Sequence, residues 1–401
     1  MTATYNDAQT LASRIDERFM VERLTELCKV PTDVPLGPDT FVPPDNPKFV
    51  HYVQDVLRPM IEATGAYNII DTPKNNLVVR MGEGTSDAAL LLQVYVPTQH
   101  HQMMDRPFEP RIATGREWGF DEPCLFAQGV GQNKSHHAVM LAVLKMLVEE
   151  KVRFPGTLYY AVNNEAMSSH GCSEAIIPAL EHKPQFGILL NRTGLRISMG
   201  NRGRVDANIE VRAKTSHSSA PGEGINAIEG ARRALDRLNQ VPLEGTHPLL
   251  GGRHAVPYQM LFDPVAPHTL PGVARIRVDR RMIPGDDPDQ AVADIRDTIG
   301  DLSPYEVSVE RGTYMLPALV DPDHPGVAAL TRAHTAVCGS EPDRFYGHGS
   351  FDAGGPCALG VPSVMYGSGA GEFPLGIDFV PISQAVKEAK VVVHTILSLL
   401  T

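Results

Sequence analysis

Residues of this chain that could do chemistry include one carboxylate, Glu165, and a set of histidines. Glu165 follows an apolar run, residues 156–162, that predicts a buried strand, and desolvation in a strand-end loop can raise a carboxyl pKa toward neutrality. Histidines are enriched near the predicted loops: His100, His101, His136, His137, His170 and His348. Converging imidazoles could bind a metal ion together with Glu165. Adjacent histidines usually point in different directions, and no His-x-x-x-His spacing occurs among them, so this metal site is kept as an alternative.

The elements that must position these residues alternate between strands and helices in the first half of the chain. Apolar spacing predicts helices over residues 15–29, 47–64, 137–150 and 172–180. Apolar runs predict strands over residues 76–81, 88–96 and 156–162. This alternation indicates an α/β sheet whose strand-end loops build the site.

The pattern changes near Gly200. Strand-like and helix-like segments then follow in a β-α-β-β-α-β-like plan: 204–213, 227–238, 273–282 and 287–299. The α/β pattern resumes after about residue 312, with a helix over 324–338, a strand over 362–367 and a helix over 383–400. We therefore predict an α/β domain formed by residues 1–197 and 312–401, interrupted by an inserted α+β domain at 198–311.

Charge and composition exclude several classes of protein. The net charge of −11 and the pI near 5.7 argue against binding to nucleic acid. No apolar run approaches the roughly 18 residues of a membrane span, and the N-terminus lacks the basic start and apolar stretch of a secretory signal. The five cysteines are widely spaced, without a Cys-x-x-Cys pair, which is typical of reduced thiols. We expect a soluble, cytoplasmic protein.

A series of motifs in a fixed order extends over nearly the whole chain. The segments are LLLQVYVP at 90–97, PFEP at 107–110 with Gly115, FAQGVGQNKS at 126–135, EAMSSHG at 165–171, SHSSAPGEGINAI at 216–228, HTLP at 268–271 and DRRMIPG at 279–285. They resemble the motifs of the zinc amidohydrolases and metallopeptidases of the aminoacylase, acetylornithine deacetylase and succinyl-diaminopimelate desuccinylase type. The resemblance implies a zinc-exopeptidase-like three-layer α/β catalytic domain with an inserted ferredoxin-like dimerisation domain, and a homodimer.

The metal-binding positions of that family are occupied by other residues in this chain. The family uses a histidine, a bridging aspartate, the second glutamate of a Glu-Glu pair, a later acidic residue and a late histidine. The matching positions here hold Tyr95, Gln132, Ala166, Asn191 and either Pro374 or Leu375, and Pro97 replaces a nearby aspartate. A neutral amide binds a dication far more weakly than a carboxylate does. We therefore predict no metal cofactor, with zinc or another divalent ion bound only if the site has moved to the histidines.

Other family positions are retained. The resemblance implies that Glu165 is the general acid and base, and that His217 reaches the active site of a neighbouring subunit and stabilises the oxyanion. It also implies that Arg281, rather than Arg280, binds a substrate carboxylate. His268 replaces a family asparagine of the oxyanion region. Gln132, Tyr95 and Asn191 complete the predicted substrate-binding set.

These predictions favour a hydrolase-like enzyme that acts on a small carboxylate-bearing amide, imide or ring without metal. Without a Lewis acid, an activated substrate or a proton-transfer reaction, such as isomerisation or elimination, is favoured over plain peptide cleavage. The alternatives are a conventional metal-dependent amidohydrolase with a relocated, histidine-rich site and a ligand-binding pseudoenzyme. The sequence leaves the substrate open.

Overall fold

The chain is organised as two compact units. The computed structural model describes residues 7–34, 42–66, 68–98, 104–164, 169–369 and 376–401. The first unit comprises Met1–Gly200, Leu319–Phe345 and Gly355–Thr401, and the second comprises Asn201–Ala318 and Tyr346–Gly354. Compared with the predicted insertion at 198–311, the second unit begins three residues later, runs on to residue 318 and also takes in the segment 346–354.

The first unit contains helices and strands in alternation. Its strands are β1 (Ile69–Thr72), β2 (Asn76–Met81), β3 (Ala89–Tyr95), β4 (Arg111–Gly115), β5 (Phe120–Phe126), β6 (Thr157–Asn163), β7 (Phe186–Leu190), β8 (Ile197–Asn201), β18 (Arg344–Gly347), β19 (Ser363–Tyr366) and β20 (Phe379–Pro381). Its helices are α1 (Ala8–Ala12), α2 (Glu17–Cys28), α3 (Pro47–Val50), α4 (Arg58–Ala63), α5 (Ser135–Glu149), α6 (Gly171–Ile176), α9 (Pro325–Cys338), α10 (Gly354–Ala358) and α11 (Ile382–Leu400).

A mixed sheet is the middle layer of this unit. Its strand order within the described chain is β1-β2-β6-β3-β7-β19-β8-β17, with β18 paired to β8 and β17 being Ala318–Leu319. The central strands β6, β3, β7 and β19 run parallel. They are buried along their whole length, as strands covered on both faces should be. Helix α5 packs with α2 and α11, whereas α6 packs near β2 and β6.

The predicted helix over 47–64 contains a π-helical segment. Asn46 caps the start by accepting the N–H of Lys48 at 3.0 Å. His51–Leu57 then forms the π segment between α3 and α4. The strands β4, β5 and β20 form a separate antiparallel sheet that the sequence patterns did not predict. Its exposed residues in β4 explain the failure, because they remove the apolar signal of a strand.

The second unit has the predicted β-α-β-β-α-β plan, in which β13 and β16 take the two strand positions to which no segment had been assigned. Its main elements are β9 (Gly203–Arg212), α7 (Ala227–Leu238), β13 (His254–Asp263), β15 (Val273–Met282), α8 (Pro288–Ile299) and β16 (Glu306–Met315). The sheet order is β13-β15-β9-β16, all antiparallel. Short paired strands complete the unit: β10 (Ser216–His217) with β14 (Thr269–Leu270), and β11 (Thr246–His247) with β12 (Gly251–Gly252).

One face of this second sheet is covered and the other is open. The apolar positions of α7, Ala227, Ala231, Ala234 and Leu238, lie three to four residues apart and pack on the sheet with α8. Along β15 the even-numbered residues are buried, while the odd-numbered ones, from Arg275 to Arg281, are partly or fully exposed. The side chains of β15 that a ligand can reach therefore lie on the open face.

No helix among the described residues is long and apolar enough to cross a membrane.

Candidate functional site

Three of the predicted substrate-binding residues lie at the carboxyl edge of the parallel strands. Tyr95 ends β3, and Asn191 directly follows β7. The register pairs Gln93 with Leu189, so two residues further along Tyr95 and Asn191 stand level on neighbouring strands. On the other side, Tyr95 pairs with Asn163 of β6. Ligand sites in open α/β sheets lie at this edge.

Gln132 lies in a short π-helical loop beside the same edge. The loop, Val130–Lys134, precedes α5, and its neighbour Asn133 donates from Nδ2 to the carbonyls of Val96 and Pro97 at 2.8 and 3.0 Å. These bonds fasten the loop to the chain that leaves β3. The side chain of Gln132 is partly exposed, whereas the residues on either side of it are buried.

Two buried acidic residues, Asp378 and Glu388, stabilise this loop and the start of α5 through hydrogen bonds. The Gly131 N–H donates to Oδ1 of Asp378 at 3.1 Å, and Asp378 is fully buried. His136 Nδ1 and Glu388 Oε1 lie 2.7 Å apart with both side chains inaccessible to solvent. The other Glu388 oxygen accepts the Ser368 N–H at 2.7 Å. Sequence analysis missed both acids, because each is isolated in sequence from the motif it supports.

Lys134, the last residue of the loop, is also fully buried. Its ammonium donates to the Val30 carbonyl at 2.7 Å and lies 5.6 Å from the centre of the Phe108 ring. Burial lowers its pKa to about 8. The side chain therefore anchors the loop to the chain that follows α2.

Among the described histidines proposed for a relocated metal site, His136 and His137 are both engaged in buried hydrogen bonds. His137 Nε2 donates to the Tyr95 carbonyl at 2.6 Å, and its Nδ1 accepts the Tyr160 hydroxyl at 2.6 Å. Burial lowers the His137 pKa to about 3, so the ring is neutral. His348 is exposed in the second unit. No group of three His, Cys, Asp or Glu side chains that could hold a metal occurs among the described residues.

The predicted acid–base residue, Glu165, lies outside the described residues, and so do Ala166, His100, His101, Pro374 and Leu375. The chain is described up to Asn164, at the carboxyl end of β6. The Asn164 N–H donates to Oδ1 of Asn76 at 2.9 Å. Asn163 Nδ2 donates to Gln93 Oε1 at 3.0 Å. A buried amide network therefore fixes the end of β6, after which Glu165 follows in the sequence.

His217 and His268 are brought together in the second unit. Residues 217 and 269 are paired across β10 and β14, and the two imidazole rings have centres 6.2 Å apart. Both side chains are exposed. The Ser219 N–H donates to His217 Nδ1 at 3.2 Å, which assigns the ring proton of neutral His217 to Nε2. His217 therefore presents an N–H donor away from its own turn.

Arg280 and Arg281 lie on opposite faces of β15. Arg280 is 3% exposed on the covered face, where it donates to the Arg281 carbonyl. Arg281 lies on the open face and forms two parallel 2.8 Å bonds to Asp279. Of the two, Arg281 is thus the one that a ligand on the open face can reach.

The described donors at the sheet edge do not fit two zinc ions. Tyr95 offers a phenol, and Gln132 and Asn191 offer carboxamides, whereas zinc sites use imidazole, thiolate and carboxylate ligands. The amide oxygen of Asn191 also accepts the Arg192 N–H at 2.7 Å. Asp378 is a carboxylate below the loop, and it accepts the Gly131 N–H.

Comparisons with known proteins agree with this architecture. Residues 199–306 match the family model of the M20 peptidase dimerisation domain. The chain is 24% identical over 319 residues to N-formyl-4-amino-5-aminomethyl-2-methylpyrimidine deformylase of Bacillus subtilis, covering 68% of this chain and 71% of that one. It is 26% identical over 172 residues to acetylornithine deacetylase of Vibrio parahaemolyticus, and spans 43% of that enzyme's length. The di-peptidase Dug1p of Saccharomyces cerevisiae has the same fold, with a TM-score of 0.75, 13% identity and 99% of both chains covered.

Fold and site geometry define a zinc-exopeptidase-like α/β protein with an inserted dimerisation domain. The predicted resemblance is confirmed: residues 199–306 match the M20 peptidase dimerisation domain, and acetylornithine deacetylase is among the proteins to which the chain is similar.

Proposed function

We propose that the protein is a cytoplasmic hydrolase that acts on a small carboxylate-bearing amide, imide or ring without the dinuclear zinc site typical of its family. The observation that carries this proposal is the donor chemistry at the sheet edge. Tyr95, Gln132 and Asn191 form a neutral, hydrogen-bonding edge where the family binds cations. Such groups can bind and polarise a substrate carbonyl, although each stabilises the transition state less than a metal ion does.

Glu165 is the general base and acid of the proposed reaction. It takes a proton from the attacking water and returns it to the leaving nitrogen. His217 donates its Nε2–H to the oxyanion that forms, and His268 lies close enough to assist. Arg281 binds a carboxylate of the substrate through its planar guanidinium.

Metal analysis of the purified protein, followed by assays in the presence of a chelator, tests metal independence directly. We expect no stoichiometric zinc and unchanged turnover after chelation. Two zinc ions per chain, or activity that requires added metal, would contradict the proposal and favour a relocated metal site.

Glu165→Gln tests the base with little change in size. We expect kcat to fall by at least about 100-fold, the usual scale of general acid–base catalysis. Glu174→Gln, a change of the same type on α6, is the matched control and should retain activity. Unchanged turnover in Glu165→Gln would rule out this role. A wild-type protein that binds small carboxylates but turns over no amide, imide or ring substrate would instead be a binding protein.

A further inference from the structure

A second arginine lies beside Arg281 on the open side of the second unit. Arg202 Nε donates to the His348 carbonyl at 3.1 Å, and Arg281 Nη1 contacts the same oxygen at 3.5 Å. Both guanidinium groups therefore meet at one carbonyl oxygen. This brings them close enough for one small molecule to contact both.

The two positive charges of Arg202 and Arg281 are not matched by an equal number of ion-paired carboxylates. Asp279 already forms two hydrogen bonds with Arg281. Arg202 instead donates to neutral acceptors, namely the carbonyls of His348 and Gly252 and His254 Nδ1 at 3.4 Å. Within the described part of the chain, no carboxylate forms a salt bridge with Arg202. Burial and then the adjacent Arg281 lower the pKa of Arg202, as expected for cations held together.

Other arginines on this sheet differ from Arg202. Arg275 pairs with Glu210 at 2.8 Å, and Arg204 has Asp206 at 3.4 Å. The imbalance is therefore local to the Arg202 end of the sheet. An incoming anion would be attracted there rather than to the face as a whole.

His254 adds a neutral donor to the same place. A guanidinium can only donate, so His254 Nδ1 is the acceptor of its contact with Arg202 and the ring proton lies on Nε2. Burial and then Arg202 lower the pKa of His254, which keeps the ring neutral at pH 7. Arg202, Arg281 and His254 together offer two charges and an N–H group.

We propose that Arg202, assisted by His254, binds a second anionic group, so that the ligand of this site is a small dicarboxylate rather than a monocarboxylate. One carboxylate contacts Arg281 and the other contacts Arg202. Charge-assisted bonds to a guanidinium are among the strongest hydrogen bonds in proteins, so this pair can select for charge. The inference rests on the proposed function only in treating the ligand as substrate.

Calorimetric titration with matched probes tests the selection without any turnover. The pairs are N-acetyl-L-aspartate with N-acetyl-L-asparagine, and N-acetyl-L-glutamate with N-acetyl-L-glutamine, which differ by one carboxylate at nearly constant size. We expect the dicarboxylate of at least one pair to bind about tenfold more tightly or better. Arg202→Gln should abolish that preference, and Arg202→Lys should retain part of it. Arg275→Gln on the same face should leave it intact.

Several results would overturn the proposal. The wild type could bind both members of each pair equally tightly. Alternatively, the preference for the dicarboxylate could persist in Arg202→Gln, or Arg275→Gln could abolish it as well. If inorganic phosphate binds through Arg202 and the dicarboxylates do not, the ligand of this site is a phosphate and the dicarboxylate proposal is wrong. Because the readout is binding, failure here is separate from failure of Glu165 as the catalytic base.

Discussion

At the residue scale, buried imidazoles make this fold sensitive to acid. Burial lowers the pKa of His137 to about 3 and that of His170 to about 4. The pKa values of His334 and His394 are lowered for the same reason. Each of these rings is held neutral inside the protein, whereas in the unfolded chain a histidine takes up a proton near pH 6.5.

We predict that the protein loses stability as the pH falls from 7 to 5. In that window the unfolded state binds more protons than the folded state, so the free energy of unfolding rises with pH. At pH 5, His137 and His170 should each account for a loss of about 2 kcal/mol. Urea unfolding at the two pH values measures the difference. Equal free energies of unfolding at pH 5 and pH 7 would show that these rings are not buried as described.

Only some residues of the candidate site could be predicted from the sequence. The roles predicted for His217 and Arg281 depend on motifs whose spacing is local, and the structure places both on accessible surfaces. Asp378 and Glu388 support the Gln132 loop from about 250 residues away in sequence. No local pattern encodes such a contact, so only the folded chain reveals it.

At the element scale, the loop that carries Gln132 depends on a left-handed glycine. Gly129 has φ of +75°, and a Cβ there would lie 2.1 Å from Cγ2 of Thr98. Its carbonyl accepts the N–H groups of Asn133 and Lys134, which starts the π-helical turn. Both the turn and its approach to the end of β3 therefore require a residue without a side chain.

We predict that Gly129→Ala destabilises the protein by more than about 2 kcal/mol and lowers activity, because strain and overpacking add. Gly119→Ala is the matched control. Gly119 has φ of +84°, but a Cβ there meets no atom within 4 Å, so only the backbone strain of about 1–2 kcal/mol applies. Urea unfolding of both variants gives the comparison. Equal destabilisation would mean that the contact with Thr98 does not constrain the loop.

The main helices and three of the four central strands, β3, β6 and β19, were predicted from apolar spacing and apolar runs, because each buries one stripe or one whole strand; β7 was not predicted. The segments 227–238 and 273–282 match α7 and β15 in both bounds. The strand β13 was missed, since it is an edge strand whose residues are mostly exposed or partly exposed. Apolar periodicity indicates which residues are buried within one chain, and few residues of β13 are buried in this way.

At the scale of the whole molecule, that exposed edge is where we expect a second copy to bind. The apolar residues Val256, Tyr258, Met260 and Leu261 on β13 are all exposed, and an uncovered apolar edge strand is prone to pair with another strand.

The double variant Met260→Lys, Leu261→Lys should convert a dimer into a monomer. Ile112→Lys, at an exposed apolar residue of the first unit, should not. Light scattering after size exclusion measures the mass; a monomeric wild type, or a double variant that stays dimeric, would contradict the assignment.

The predicted dimer also raises the question of which subunit's active site His217 acts on. If His217 acts on the neighbouring active site, then mixing Glu165→Gln chains with His217→Ala chains produces heterodimers in which one site has both groups intact. Random exchange of subunits should then restore about a quarter of the wild-type activity, because half the dimers are mixed and each has one complete site. If His217 acts within its own subunit, every site lacks one group and the mixture stays as inactive as its parents. Placing both single variants in the Met260→Lys, Leu261→Lys background is the control, since chains that cannot associate cannot complement each other.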